Sequence, residues 1–303
     1  MRPIVSSGTT EPRERRATPR PAKGPRRAAT PPGVRVRRLE RPADDGYRSE
    51  LVPGVRASAD AERLGEQIAF AAGRLARLAS EPPGLYAEVA AGGDVEERAW
   101  LAFLIAYLCP LDGDDPFAGI GAVRTTWGSG ELPTLDDVET GPRTAHDPGR
   151  GQETLEAYRG WAGRAGSQSQ AFTGEESWSP DRRFARVFER LALPRLHRDA
   201  RFDLLVTLGR LGVFELRAGS LELGGPDEVT VAAKRAFGIG DPLLLERRAA
   251  ALANACGVPL EALDLGLFNW GRPPGGRATL GLGPDAEPDG GALEAARRAL
   301  ELG

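Results

Sequence analysis

The chain has 303 residues, of which 41% are apolar, with 40 basic and 43 acidic side chains and a formal net charge of −3. That apolar share suffices for one sizeable core or two small ones, and no run approaches the roughly 18 to 20 consecutive apolar residues of a membrane span. Two cysteines (Cys109, Cys256) and two histidines (His146, His197) argue against a disulfide framework, a metal site of ordinary ligands and a histidine-based nucleophilic triad. The expectation is a protein of a reducing cytoplasm with no metal and no cofactor.

Residues 1–56 read as a disordered arm, rich in Pro, Arg, Ser and Thr and without helical or alternating apolar periodicity. Up to Pro42 it holds 12 basic residues against Glu11, Glu14 and Glu40, a charge of +9, which leaves −12 on the other 261 residues. A basic tail adds salt-sensitive, sequence-blind affinity for nucleic acid. An acidic body is not what a general DNA binder shows. The arm lacks the apolar stretch of a secretory signal, and its prolines interrupt the amphipathic helix of a transit peptide.

From Ser58 to Ser80, residues Ala61, Leu64, Ile68, Ala71, Leu75 and Leu78 fall on one face of a surface helix. Glu97 to Leu108 leaves almost no polar face, so its helix belongs in the middle of the core, and Pro110 ends it. Asp112-Gly113-Asp114-Asp115 lacks the spacing and closing glutamate of a calcium loop and reads as a solvated acidic turn. Residues 117–151 are loop-like, and a connection that long is often functional when ordered. Ser179 and Pro180 start a helix with Phe184, Val187, Phe188 and Leu191 buried. Arg182 and Arg183 fall in its first turn against the dipole preference, which suits an outside anion there; a plain solvated pair is the bland alternative. A core helix follows over 201–211, and two short strands are expected at 213–216 and 221–223.

The chain's centre of interest is Lys234 to Gly271. Val229 to Phe237 forms a helix, and Gly238-Ile239-Gly240 makes a tight bend. Asp241 caps a second helix with Pro242 at its first position, and Gly257 and Pro259 end it. Asp264 then either caps a short helix or points its carboxylate into a cleft. After Trp270 a Gly/Pro-rich linker leads to an amphipathic helix over 292–302. The expected organisation is an arm at 1–56, one all-α domain at 57–271, and a linker with a short helix at 272–303.

This order of an apolar-Gly-apolar-Gly bend, a helix and a later aspartate resembles the helix-hairpin-helix DNA glycosylase superfamily. Segments such as WLAFLIAYLCP, SWSPDRRFARVFERL, RFDLLVTLGRLG, FGIGDPLLLERRAAALA and LDLGLFNW are similar to the bacterial group named α-glutamyl/putrescinyl thymine pyrophosphorylase clade 3. The resemblance implies an all-α glycosylase-like fold and DNA as partner. It implies that Gly238, Ile239 and Gly240 hold a backbone phosphate and that Asp264 acts at an extruded nucleotide. The group's name further implies an amine displacing pyrophosphate from an activated 5-hydroxymethyl group of thymine, with a small amine as co-substrate. Two features depart from the superfamily pattern. The lysine nucleophile of bifunctional members is absent, since Asp241 and Pro242 stand after the bend, and Asp241 brings negative charge to amides meant for a phosphate.

Beside the hairpin, Lys234 and Arg235 are expected to help hold DNA, together with Arg182 and Arg183. Trp127, Trp178, Trp270 and Asn269 are candidates for a base pocket, because an aromatic face stacks on an unpaired base for roughly 1–3 kcal/mol. Aromatics at helical spacing more often belong to a core. The alternatives to a base-modifying enzyme are a DNA glycosylase of base excision repair, a non-catalytic DNA-binding module, and a helical scaffold without nucleic acid.

Overall fold

A computed structural model describes residues 42–283 and 286–302; most of the expected arm, residues 1–41, lies outside them. The described residues form twelve α-helices and no strand. The all-α expectation therefore holds for this part of the chain. The two expected short strands are absent: the backbone N–H groups of Leu221 and Leu223 donate to the Glu246 carboxylate at 2.8 and 2.6 Å instead of to a neighbouring strand. A side chain has taken the place of a sheet partner.

Helix α1 (Ser58–Ser80) turns its expected apolar face inward and lies against α11 (Leu260–Gly271) and α12 (Gly290–Ala299). The short α2 (Leu85–Ala90) leads to α3 (Val95–Leu108), whose buried residues include Trp100, Phe103, Leu104 and Tyr107. A helix buried on most sides needs partners all round. α3 finds them in α2 and in α8 (Arg198–Arg210), and in a group of stacked rings where Phe103 and Tyr158 have centroids 3.7 Å apart. Between them come α4 (Ala118–Val123), α5 (Gly151–Ala165), α6 (Gln168–Thr173) and α7 (Pro180–Arg190).

The hairpin is built as its residues dictate. Asp227 caps α9 (Glu228–Phe237) by accepting from Thr230 N at 2.8 Å. Gly238 then takes the left-handed conformation at φ 66°, where an L side chain is strained. Asp241 caps α10 (Pro242–Cys256) through Leu244 N at 3.0 Å, and Gly257 closes that helix. α11 starts after Pro259, so Asp264 stands in its second turn and is not a helix cap.

Packing reaches beyond 57–271 at both ends. Val52 and Val55 are core residues, and the Gly54 N–H donates to Ala236 O at 2.9 Å. Residues 42–56, expected to belong to the arm, thus cover the end of α9. At the other end, Ala278, Leu280, Ala296 and Leu300 enter the same core. The Asn269 side chain holds Ala278 N at 2.8 Å, and Asp112 Oδ1 accepts from Thr279 N at 2.9 Å.

Candidate functional site: an arginine-lined cleft over Asp264

Asp264 is 1% exposed, on the face of α11 that meets α8 and the loop before α5. Each of its carboxylate oxygens meets a different guanidinium. Arg143 Nη2 donates to Oδ1 at 2.7 Å. Arg198 Nη1 stands against Oδ2 as an ion pair without hydrogen-bond alignment, so Oδ2 has no hydrogen-bond donor. Arg143 also grips Asp203 with two parallel hydrogen bonds, at 2.8 and 3.0 Å, while Arg198 reaches Asp199 at 3.1 Å and the carbonyl of Leu221. Two arginines and three aspartates therefore interlock where water is scarce. Bidentate charge-assisted pairs of this kind are geometrically strict.

Burial works against the charge on Arg143, but Asp203 and Asp264 outweigh it and hold this guanidinium well above its ordinary value. Arg198 is raised too, by Asp264 and Asp199 against its burial. Burial pushes the Asp264 carboxyl above the usual carboxylate range, opposed by the pull of Arg198 and then Arg143.

A cleft of about 670 Å³ opens above this cluster, walled by Arg143, Arg195, Arg198, Arg201, Glu228 and Phe268 among others. Its size lies within the range of small-molecule sites. Asp264 itself does not line the cleft; its arginine partners do. Three donors nearby have no partner: Arg143 Nη1, Arg198 Nε and Arg201 Nε. Phe268, one helical turn after Asp264, lies beneath the Arg143 guanidinium, 4.6 Å from the ring centre.

The expected site residues scatter around this cleft. The hairpin lies at the far end of α9 from it. Asp227 and Glu228 border the cleft, and ten helical residues, about 15 Å at 1.5 Å per residue, separate them from Gly238. At the bend the Gly238 N–H is spent on Lys234 O, and Ile239 is half-buried against the core. Gly240 and Lys234 are exposed. Arg235 is tied to Asp60 at 2.5 Å and lies 3.7 Å above the Trp270 ring.

Trp270 is fully buried, with its indole N–H on Asp60 O at 2.9 Å, so it offers no face to a base. Asn269 is occupied with Ala278. Trp127 is half-buried in the aromatic group of α3 and α5, under Arg159 at 4.3 Å. Trp178 is buried between Gly174 and Arg190. None of these three tryptophans lines the cleft.

Arg183 is buried and donates to the carbonyls of Thr173, Glu215 and Trp178, at 2.8, 3.0 and 3.2 Å. These internal acceptors account for an arginine in the first turn of α7 without any outside anion. Arg182 is exposed and borders a second cavity of about 600 Å³ beside α7.

Sequence reasoning did not single out Arg143, Arg198, Asp203 or Phe268. Arg143 does sit in the long loop-like stretch 117–151, of a kind often functional when ordered, and Phe268 follows Asp264 at the helical spacing of one turn. Comparison with protein-family models, curated proteins and solved structures finds no match for this chain.

Proposed function

We propose that this protein is a DNA base-processing enzyme built on the helix-hairpin-helix DNA glycosylase plan, similar in wording to the α-glutamyl/putrescinyl thymine pyrophosphorylase clade 3 group. DNA is its partner, with the cytoplasm as its compartment. One observation carries the reading: a cleft large enough for a nucleotide lies over the arginine–aspartate cluster that includes Asp264, on α11, one helix after the glycine hairpin. The hairpin meets the DNA backbone, and the cleft takes the extruded nucleotide.

In this reading Asp264 is a positioning residue. A carboxylate that is 1% exposed and shared by two guanidiniums does not reach a substrate; it fixes Arg143 and Arg198 under the cleft floor. The chemistry implied by the resemblance is displacement of pyrophosphate from an activated 5-hydroxymethyl group by an amine, with glycosidic cleavage as the alternative. The burial of Asp264 also favours a second reading, a DNA-binding module without catalysis.

The two readings part in one experiment. The protein is incubated with duplexes containing thymine, uracil or pyrophosphorylated 5-hydroxymethyluracil, with and without a polyamine, and the nucleosides are analysed by mass spectrometry. An altered or missing base that depends on Arg198 supports the enzyme. DNA binding with every base unchanged supports the module.

A further inference from the structure

Helix α7 presents arginines to solvent, as the Asp264 cluster does not. At 3.6 residues per turn, Arg182, Arg186 and Arg190 fall within about 80° of one another around its axis, and all three are exposed. Arg183, on the same helix, is buried and spent on internal carbonyls. The guanidiniums of Arg182 and Arg190 both lie over Trp178, with their central carbons 5.9 and 5.1 Å from its ring centre, and so stand no more than about 11 Å apart. A guanidinium resting on a ring is restrained, while its N–H groups remain free for an acceptor. Among the described residues neither of these two guanidiniums makes a hydrogen bond or an ion pair.

On its other flank this ridge borders the cavity of about 600 Å³, whose wall includes Arg182, Arg186, Phe188 and Arg201. Arg201 lies 4.2 Å from the Phe188 ring centre and also walls the cleft over Asp264. Ridge, cavity and cleft therefore adjoin in that order, a path suited to an extended ligand. Two carboxylates share the cavity wall: Glu189, paired with Arg186 at 3.1 Å, and Glu222, which accepts from Ser220 at 2.6 Å. Glu175 and Glu176 stand in the segment ahead of α7, outside that wall, and Asp181 turns to Arg217 at 2.7 Å. The Arg186 pair is 50% and 72% exposed, and a surface pair of this kind yields to an incoming anion at small cost.

We infer that α7 is the rail that holds a DNA strand, with Arg182 and Arg190 gripping backbone phosphates and Arg186 joining them. The planar fork of a guanidinium matches two phosphate oxygens at once. A strand carries a phosphate every ~3.4 Å of duplex axis, so the ridge takes in more than one. The inference rests on the proposed function for the nucleotide that turns from this strand into the cleft, whereas the grip on the backbone is independent of any reaction.

The test is fluorescence anisotropy of a labelled duplex of about 20 base pairs with the full chain, between about 50 and 200 mM salt. The double variant Arg182→Gln/Arg190→Gln should bind at least tenfold more weakly at the lowest salt. Its slope of log affinity against log salt should fall by about 1.8, at ~0.9 for each lost phosphate contact. Arg182→Lys/Arg190→Lys keeps the charge and loses the planar fork, so it should keep the slope and bind several-fold more weakly than wild type. Arg297→Gln, which removes an exposed arginine of α12, should change neither quantity.

Unchanged affinity and slope in the glutamine double variant overturn the inference. So does a loss equalled by Arg297→Gln, which would be a bulk charge effect, or a lysine pair that binds as tightly as wild type. Displacement of the duplex by polyglutamate as readily as by polyphosphate also overturns it, and would make the ridge a site for an acidic protein. The proposed function fails separately: binding that drops in the glutamine double variant, with no base altered by the wild type, keeps the rail and removes the enzyme. Base alteration at undiminished rate and affinity in that variant keeps the enzyme and removes the rail.

Discussion

Asp241 and Asp264 follow the same glycine bend, one immediately and the other one helix later, and they meet opposite fates. Asp241 is exposed, and its carboxylate accepts from Leu244 N, a purely local bond. Asp264 is buried between Arg143 and Arg198, which come from a loop and a helix far away in the chain. An aspartate answering to its own neighbours is replaceable at small cost. One that holds distant arginines in a dry interior is not, because each partner left alone is a buried unpaired charge.

The largest effect therefore belongs to the interlocked cluster. Arg143→Met should cost about 3–5 kcal/mol, since it strands Asp203 and Asp264 together, and should appear as a large drop in the urea midpoint. Asp264→Asn should cost somewhat less, because Asp203 and Asp199 still hold the two arginines. If Arg143→Met unfolds at the wild-type midpoint, the cluster is not what separates these two aspartates.

A second test uses the two thiols, one near each region. Burial pushes Cys109, beside the loop that carries Arg143, up to about 12, and Cys256, at the end of α10, up to about 11. Both folded values lie above the unfolded value near 9. The stability these groups contribute is thus complete below pH 9 and is lost as pH rises through 11 to 12. Neither thiol should react with a thiol reagent at pH 8 in the native protein. Urea midpoints should fall steadily above pH 9, and on raising the pH Cys256 should react before Cys109. Rapid labelling of Cys109 at pH 8 would show that the region around Arg143 is more open than its packing.

The hairpin was legible because its grammar is local. A glycine at φ 66°, an N-cap aspartate, a first-turn proline and a closing glycine are read within a few residues of one another, and α1, α9 and α10 began and ended close to where their residues place them. The Asp264 cluster was not legible beyond Asp264 itself. Arg143 and Arg198 look like any two of many arginines until folding brings a loop, α8 and α11 together. The tryptophans misled for a related reason: Trp270 lies beside polar and glycine-rich residues in sequence, yet in the fold it is itself enclosed by Asp60, Arg63 and Arg235. Residues 42–56 read as an extension of the arm by composition, and only the three-dimensional fit of Val52, Gly54 and Val55 against α9 places them in the body.

Smaller effects distinguish the parts of the hairpin. Gly238→Ala should cost about 1–2 kcal/mol, the penalty of a left-handed L residue. Gly54→Ala should cost more, because its new methyl group would lie 2.0 Å from Arg235 O and 2.8 Å from Gly238 N. Equal thermal shifts for the two variants would mean that the segment before α1 yields readily and does not brace the bend.

The smallest change, Asp241→Ala, bears most directly on what the hairpin does. Loss of the cap should lower stability by about 1 kcal/mol. It also removes the negative charge at the start of α10 and frees the Leu244 amide, so the bend becomes a better anion site. If the hairpin contacts the DNA backbone, duplex affinity should rise a few-fold at low salt, and the gain should fade as salt increases, since one phosphate contact contributes a salt slope of about 0.9. If affinity is unchanged at every salt concentration while stability falls, the bend is only a turn, and DNA must approach through the arginine cleft at the other end of α9.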